Sequence, residues 1–334
     1  MSTDEKLKDL LSSRQNQVLI LLIALLLIPA VTRDYYILTI LIFANIFAVY
    51  GASWDILAGF TGIFSFGQAF FFGGAGYISA LLNVKAGLPV WISIPLGGAC
   101  GVLVGMLFGL PSLRLKGPYF TIMSLVFPTT VVGIIYMFPW LSGGEAGIYG
   151  LDPISSDIAV TYVASVALML GSIFALMRIA SSRFGLIFRS IRDNTEIAET
   201  TGINTTKYKF LAFGISGLFA GLAGAFQAHQ LMSISPFVFN PSYSLSAMLY
   251  ASLGGIGTIL GSVGGAFIMS ILNEALRGAA EFRLLIYATV MVLVFRFLPE
   301  GLLRRIGMSF SFRLGVWGEI KKLRRRRGKD GTNP

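Results

Sequence analysis

Apolar runs about as long as a lipid bilayer is thick follow one another along nearly the whole chain, parted by short polar connections. A crossing takes roughly 20 residues, fewer where a helix is broken. On that measure the pattern predicts helices near 16–32, 35–58, 66–83, 89–111, 118–140, 158–179, 208–231, 242–254, 258–276 and 284–298. The alternating segments of about ten residues that build a membrane β-barrel are not evident. The expected class is therefore an all-α polytopic membrane protein, with about ten transmembrane or half-spanning helices. The run SYSLSAMLYASLG, 242–254, is too short to span alone and is expected to be broken or re-entrant.

Composition strengthens this picture. Of 334 residues, 55% are hydrophobic and 13% charged, and the mean hydropathy of +0.76 lies outside the balance of a soluble domain. The 39 glycines interrupt most apolar runs, which points to helices packed closely through small residues. A single cysteine, Cys100, inside an apolar run leaves no disulfide framework and no thiolate metal cluster. The opening MSTDEKLKDLLSSRQNQ is polar and mixed in sign, and the apolar run after it lacks a small-residue cleavage site, so it reads as a retained first helix. The chain then divides into a cytoplasmic segment, 1–15, a membrane domain, 16–302, and a basic cytoplasmic tail, 303–334.

Charge gives the orientation. An even number of crossings puts both termini on one side. With that side cytoplasmic, the external turns carry Arg33, Lys85, Arg277 and Arg283, leaving 26 − 4 = 22 basic residues at the inner face or helix ends. The connection LSGGEAGIYGLDPISSD, 141–157, has three acids and no base, which suits the outer face. The tail KKLRRRRGKDGTNP reads either as a stop-transfer and solubility tail or as a contact with anionic head groups. Topology accounts for the net charge of +10 without any nucleic acid.

One charged stretch lies in the interior, RSIRDNTEIAETTGIN, 189–204, within the loop 180–208. From Gly185 its faces separate at helical spacing, with Ile187, Ile191 and Ala198 on one side and Arg189, Arg192, Asp193 and Glu196 on the other. Gly202 has the place of a helix-ending glycine. A helix lying on lipid would carry more lysine and a bulky aromatic. Two arginines against Asp193, Glu196 and Glu199 suit a protein partner better.

The segment EIAETTG, 196–202, resembles the EAA-x-x-x-G loop of ABC-transporter permeases, which docks on a cytoplasmic ATPase. The strings WDILAGFTGIFSFGQAFFFGGAGYISALL, 54–82, LRLKGPYFTIMSL, 113–125, FGLIFRSIRDNTEIAETTGINTTKYKFLAFGISGLFAGLAGAF, 184–226, and SLGGIGTILGSVGGAFIM, 252–269, resemble, in this order, the branched-chain amino-acid permeases of the LivM type. Gln68 stands where a histidine is common in that family, and Ile197 replaces the first alanine of the EAA pair.

The resemblance implies a multi-pass subunit of the cell membrane, paired with a second homologous permease, two cytoplasmic ATPase subunits and an extracytoplasmic solute-binding protein. ATP and Mg²⁺ then belong to the partners and this chain binds no cofactor; no G-x-x-x-x-G-K-S/T string occurs in it. The ATPase-coupling residues carried over are Arg189, Arg192, Asp193, Asn194, Glu196, Ala198, Gly202 and Ile203. The implied activity is import of branched-chain or related amino acids by alternating access. Urea, short amides or small aromatic acids are rival cargoes. An ion-coupled carrier would need intramembrane ionisable groups, and Asp55 and Glu274, both near helix ends, are the candidates.

For the translocation path or gate, the segment AGFTGIFSFGQAF, 58–70, offers apolar walls with a few hydrogen-bonding groups. Gly59, Gly62 and Gly67 let the backbone bend or open there, in an inner gate, a substrate contact or plain packing. Asn45, Ser53, Asp55, Ser65 and Gln68 complete the set; Asp55 is either functional or close enough to the inner end to reach water. Asn273 and Glu274 lie near an outer helix end, with Arg277 as an i,i+3 partner for Glu274. His229 is expected to be an interface residue rather than a proton relay. Gly254, Gly257, Gly261 and Gly265, at spacings of three, four and four, are expected on one helix face for helix packing or a permease–permease contact. Glu145, Asp152 and Asp157 either meet basic residues of a docked binding protein or belong to an ordinary solvated loop.

Overall fold

The computed structural model describes residues 34–276 apart from 113, 114, 116 and 117, together with the isolated positions 285, 286, 289, 292 and 296. The helix expected at 16–32, Arg33, Arg277, Arg283, both terminal segments and nearly all of 284–298 lie outside the described residues. The other eight expected helices are present, with ends shifted by a few residues.

Asp34 starts the bundle by accepting the Tyr36 N–H at 2.9 Å, which caps helix α1, Tyr35–Asp55. From Ala48 to Asp55 every residue of α1 is buried, so this helix lies inside the protein rather than against lipid. It continues into a π-helical turn, Ile56–Phe60, and the chain then breaks before α2, Gln68–Val84. Helices α3, Val90–Ser112, and α4, Pro118–Met137, follow, then the short α5, Pro139–Ser142, and α6, Ile158–Ser181. The charged loop folds as α7, Arg183–Asp193, and α8, Thr195–Thr200. Helix α9, Thr205–Leu231, returns through the centre. The last described pair is α10, Pro241–Gly254, and α11, Ile259–Ala275.

Among the described residues, five helical stretches are long and apolar enough to cross a membrane, Tyr35–Phe60, Val90–Pro111, Tyr119–Met137, Ile158–Ser181 and Thr205–Leu231. The run at 242–254, expected to be broken or re-entrant, is the first half of a pair, α10 and α11, that meets at 113° and forms a sixth span if counted together. Helix α2, at 17 residues, is shorter than a full crossing.

Small residues set the closest packing. A Cβ on Gly101 of α3 would lie 2.4 Å from the Gly217 carbonyl of α9, and one on Gly217 would lie 2.2 Å from the Gly101 carbonyl. The backbones of α3 and α9 touch there because neither residue has a side chain. Below them Phe71, Phe108, Phe120 and Phe213 pack edge to face, with ring centroids 5.2 to 6.4 Å apart.

The four glycines at 254–265 do not share one helix face. Gly254 ends α10, Gly257 sits in the turn at φ +82°, and Gly261 and Gly265 belong to α11. A Cβ on Gly254 would fall 1.7 Å from the Gly261 carbonyl and one on Gly265 would fall 2.0 Å from the Tyr250 carbonyl, so they pack α10 against α11 within this chain.

One end of the bundle carries α7, α8 and both interruptions, 61–67 and 255–258. At the other end β1, Ile148–Tyr149, pairs antiparallel with β2, Ser233–Ile234, in the register Ile148 to Ile234. Asn83 and Asp152 bind each other there, through Nδ2 to Oδ2 at 2.8 Å and the Asp152 N–H to Oδ1 at 2.9 Å.

Candidate functional site

The first interruption follows from a slipped hydrogen-bond ladder. The Ile63 N–H reaches back to the Leu57 carbonyl at 3.0 Å, and the Thr61 hydroxyl donates to the same oxygen at 2.6 Å. Gly62, at φ +73°, turns the chain out of the helix. The donors before α2 would be costly to leave free at membrane depth. Serines take them: Ser65 Oγ accepts the Gly67 N–H, Ser124 Oγ the Phe66 N–H and Ser244 Oγ the Ala69 N–H, at 2.9 to 3.1 Å. The Trp54 indole donates to the Ser65 carbonyl at 2.8 Å.

Gln68 joins this turn to the core. Its Nε2 donates to Ser53 Oγ at 2.8 Å and to Ser216 Oγ at 3.1 Å, and the Ser216 hydroxyl donates to the Ser53 carbonyl at 2.8 Å. All three residues are fully buried. Ser53, Asp55, Gly59, Gly62, Ser65 and Gln68 are thus gathered around one break. Asn45 stands apart, donating to Ser165 Oγ of α6 at 2.9 Å.

The second interruption meets the first. Gly255 and Gly257 have φ of +110° and +82°, and the Gly257 N–H donates to Asp55 Oδ1 at 2.7 Å. Asp55 is wholly buried, and its Oδ2 has no hydrogen-bond partner among the described residues. A Cβ on Gly59 would lie 2.2 Å from Asp55 Oδ1 and 2.5 Å from the Gly257 nitrogen, so a side chain at Gly59 would force the breaks apart.

The loop above them differs from the single helix expected after Gly185. Asn194, extended at φ −160° and ψ 110°, separates α7 from α8 and caps α8 by accepting the Ile197 N–H at 3.0 Å. Phe188, Ile191 and Ala198 face inward, while Ile187 is only half buried. Helix α8 ends as expected at Gly202, with φ +83°, the Gly202 N–H bonded to the Glu199 carbonyl at 2.9 Å and the Ile203 N–H to the Ala198 carbonyl at 3.1 Å. Asp193, Glu196, Ile197 and Thr200 are left exposed.

Arg189 and Arg192 turn to the chain's own first break. Arg192 Nη1 donates to the Gly59 carbonyl at 2.7 Å, while its Nε and Nη2 both reach Asp193 Oδ1 at 3.2 Å. The Arg189 guanidinium lies 5.1 Å from the centre of the Phe60 ring.

The remaining candidates lie elsewhere. His229, expected at an interface, is wholly buried within this chain, with Nε2 3.1 Å from Ser79 Oγ and Nδ1 donating to the Asp152 carbonyl at 2.9 Å. Tyr36 donates its hydroxyl to Glu274. Asp152 is bound to Asn83 and Asp157 caps α6, whereas Glu145 is exposed. Ser124, Ser216 and Ser244 were not expected in the site. Each is one of several small polar residues in its helix, and only the folded neighbours distinguish it from the rest.

The family described as branched-chain amino acid transport system, permease component, matches residues 36–295. Over 288 residues the chain is 27% identical to the high-affinity branched-chain amino acid transport system permease protein LivM of Salmonella typhimurium, covering 77% of this chain and 68% of that relative. LivM of Escherichia coli matches at the same 27% over the same 77% and 68%. The nucleoside ABC transporter permease protein NupC of Lactococcus lactis is 26% identical over 245 residues, 67% of this chain and 76% of its own length. No solved structure matches. The family match runs from the second residue of α1 past the end of α11, through both interruptions and the charged loop, and the chain belongs to the branched-chain amino acid transport system permease family.

Proposed function

We propose that this chain is the membrane-spanning subunit of an ATP-driven importer for branched-chain or related amino acids. It works beside a second homologous permease, with two cytoplasmic ATPase subunits and an extracytoplasmic binding protein. One observation carries the reading. Where the resemblance puts the ATPase-docking loop, α8 is a short helix with a fixed end, seated by Ala198 and presenting Glu196, Ile197 and Thr200 outward. Such a helix can be moved as a rigid body without unfolding.

On this reading both termini and the loop 180–208 face the cytoplasm. Closure of the ATPases shifts α7 and α8, and the two permeases rock so that the path between them opens to alternate sides. The interruptions at 61–67 and 255–258 are where the membrane helices yield. The cargo has an apolar side chain and a zwitterionic head, which suits apolar walls with few fixed charges.

The test is purification of the tagged chain with its genomic neighbours, followed by a ligand screen on the binding protein. Two ATPase subunits should co-purify, and leucine, isoleucine or valine should stabilise the binding protein. Absence of any ATPase from the complex would remove the reading. A binding protein stabilised by a nucleoside, urea or an aromatic acid would keep the class and change the cargo.

A further inference from the structure

Arg192 is placed to do more than face a partner. In an α-helix the Gly59 carbonyl would accept from the Ile63 N–H, but that N–H is spent on the Leu57 carbonyl, six residues back, at 3.0 Å. The π-turn therefore leaves Gly59 an orphaned acceptor, and the Arg192 guanidinium fills it at 2.7 Å. The stem of Arg192 crosses Gly62 so closely that a Cβ there would lie 2.9 Å from Arg192 Cγ. A Cβ on Gly257 would lie 3.6 Å from Arg192 Nη1 and 3.4 Å from the Gly59 carbonyl, so the second interruption touches the same point. Asp55, one turn before Gly59, holds the Gly257 N–H. The loop helix and both helix breaks thus meet at one joint.

We propose that Arg192 is the positioning residue that transmits motion of the charged loop to both helix breaks, directly through the Gly59 carbonyl and onward through Asp55 to Gly257. This rests on the reading of the chain as an ATPase-driven permease and says how the drive enters the membrane domain. A π-turn is suited to the task, because it can gain or lose a residue from its ladder where a regular helix resists. Arg192 then acts after docking. Removing it uncouples the ATPases without detaching them.

The experiment uses the full complex in proteoliposomes, with attachment, hydrolysis and uptake measured on each variant. In Arg192→Gln, attachment and hydrolysis are expected to persist while uptake falls by about tenfold or more, and Arg192→Lys, which keeps a charged donor, recovers part of it. Asp55→Leu, which removes the acceptor for the Gly257 N–H, is expected to uncouple in the same way, with attachment and hydrolysis kept. ATP hydrolysed per substrate moved is the deciding ratio, since a merely structural defect lowers both together.

A covalent link provides a second test in a Cys100→Ser background. A Cβ on Gly62 lies 3.5 Å from Arg192 Cβ, within the span of a disulfide. Gly62→Cys alone, strained at φ +73°, sets the baseline of uptake; against it the reduced Gly62→Cys/Arg192→Cys pair should be uncoupled, and oxidation should restore uptake to that baseline by tying loop to break again. Loss of ATPase attachment in Arg192→Gln, unchanged coupling in that variant, or a disulfide that forms without raising uptake would each overturn the proposal. If the wild-type complex itself shows no ATP-driven uptake, the functional reading fails instead.

Discussion

The Gly257 N–H and the Asp55 carboxylate, 202 positions apart, are joined by a 2.7 Å hydrogen bond that ties one helix break to the other. An acid inside a membrane bundle invites a reading as an ion-coupling group. Here its bonded oxygen closes a backbone turn. Asp55→Asn and Glu274→Gln are therefore expected to leave uptake dependent on ATP and insensitive to a protonophore when ATP is clamped. Uptake that collapses with the proton gradient under those conditions would return the chain to the secondary-carrier class.

The end of α8 depends on Gly202 for its conformation and not for space. Its φ is +83°, and a Cβ there meets nothing among the described residues within 4 Å. Valine should strain the turn by about 1–2 kcal/mol, while asparagine, which tolerates that region, should cost little. Pull-down of ATPase subunits from detergent is expected to fall several-fold for Gly202→Val and hardly at all for Gly202→Asn. Equal retention by both would separate the loop's end from docking.

Orientation can be read by thiol labelling. In a Cys100→Ser background, Ser156→Cys, exposed at the β1 end, should react with an impermeant reagent in intact cells. Thr200→Cys, exposed on α8, should react only after permeabilisation. The reverse pattern inverts the topology.

Glycines that look alike in the sequence separate by surroundings. Gly101→Ala places a Cβ 2.4 Å from the Gly217 carbonyl and should destabilise the purified chain by about 1–3 kcal/mol. Gly171→Ala has nothing among the described residues within 4 Å of its Cβ and should be neutral, or stabilise α6 by about 0.5–1 kcal/mol. Thermal unfolding in detergent measures both, and a large loss for Gly171→Ala would mean that face is packed.

Helix positions were legible because bilayer thickness imposes a length on each apolar run. The C-terminal end of α8 was legible because a glycine after a run of helix-forming residues is a local signal. Other features needed the fold. Asn194 reads as one more polar residue inside a helical pattern, yet its extended backbone splits the loop in two. The spacing of Gly254, Gly257, Gly261 and Gly265 imitates a helix face, and only the positive φ of Gly255 and Gly257 shows the turn between them. The direction of Arg192 was hidden most deeply. Its acceptor exists because the ladder slips at Leu57, and no local pattern announces a slipped ladder.

The most direct measurement is uptake into proteoliposomes holding this chain, its homologous partner and the two ATPases, with the binding protein and labelled leucine outside and ATP inside. Uptake should require internal ATP and should vanish when the ATPase subunits carry a catalytic substitution, with the permease pair still assembled. Leucine accumulation without ATPase subunits, driven by an ion gradient alone, would contradict the account.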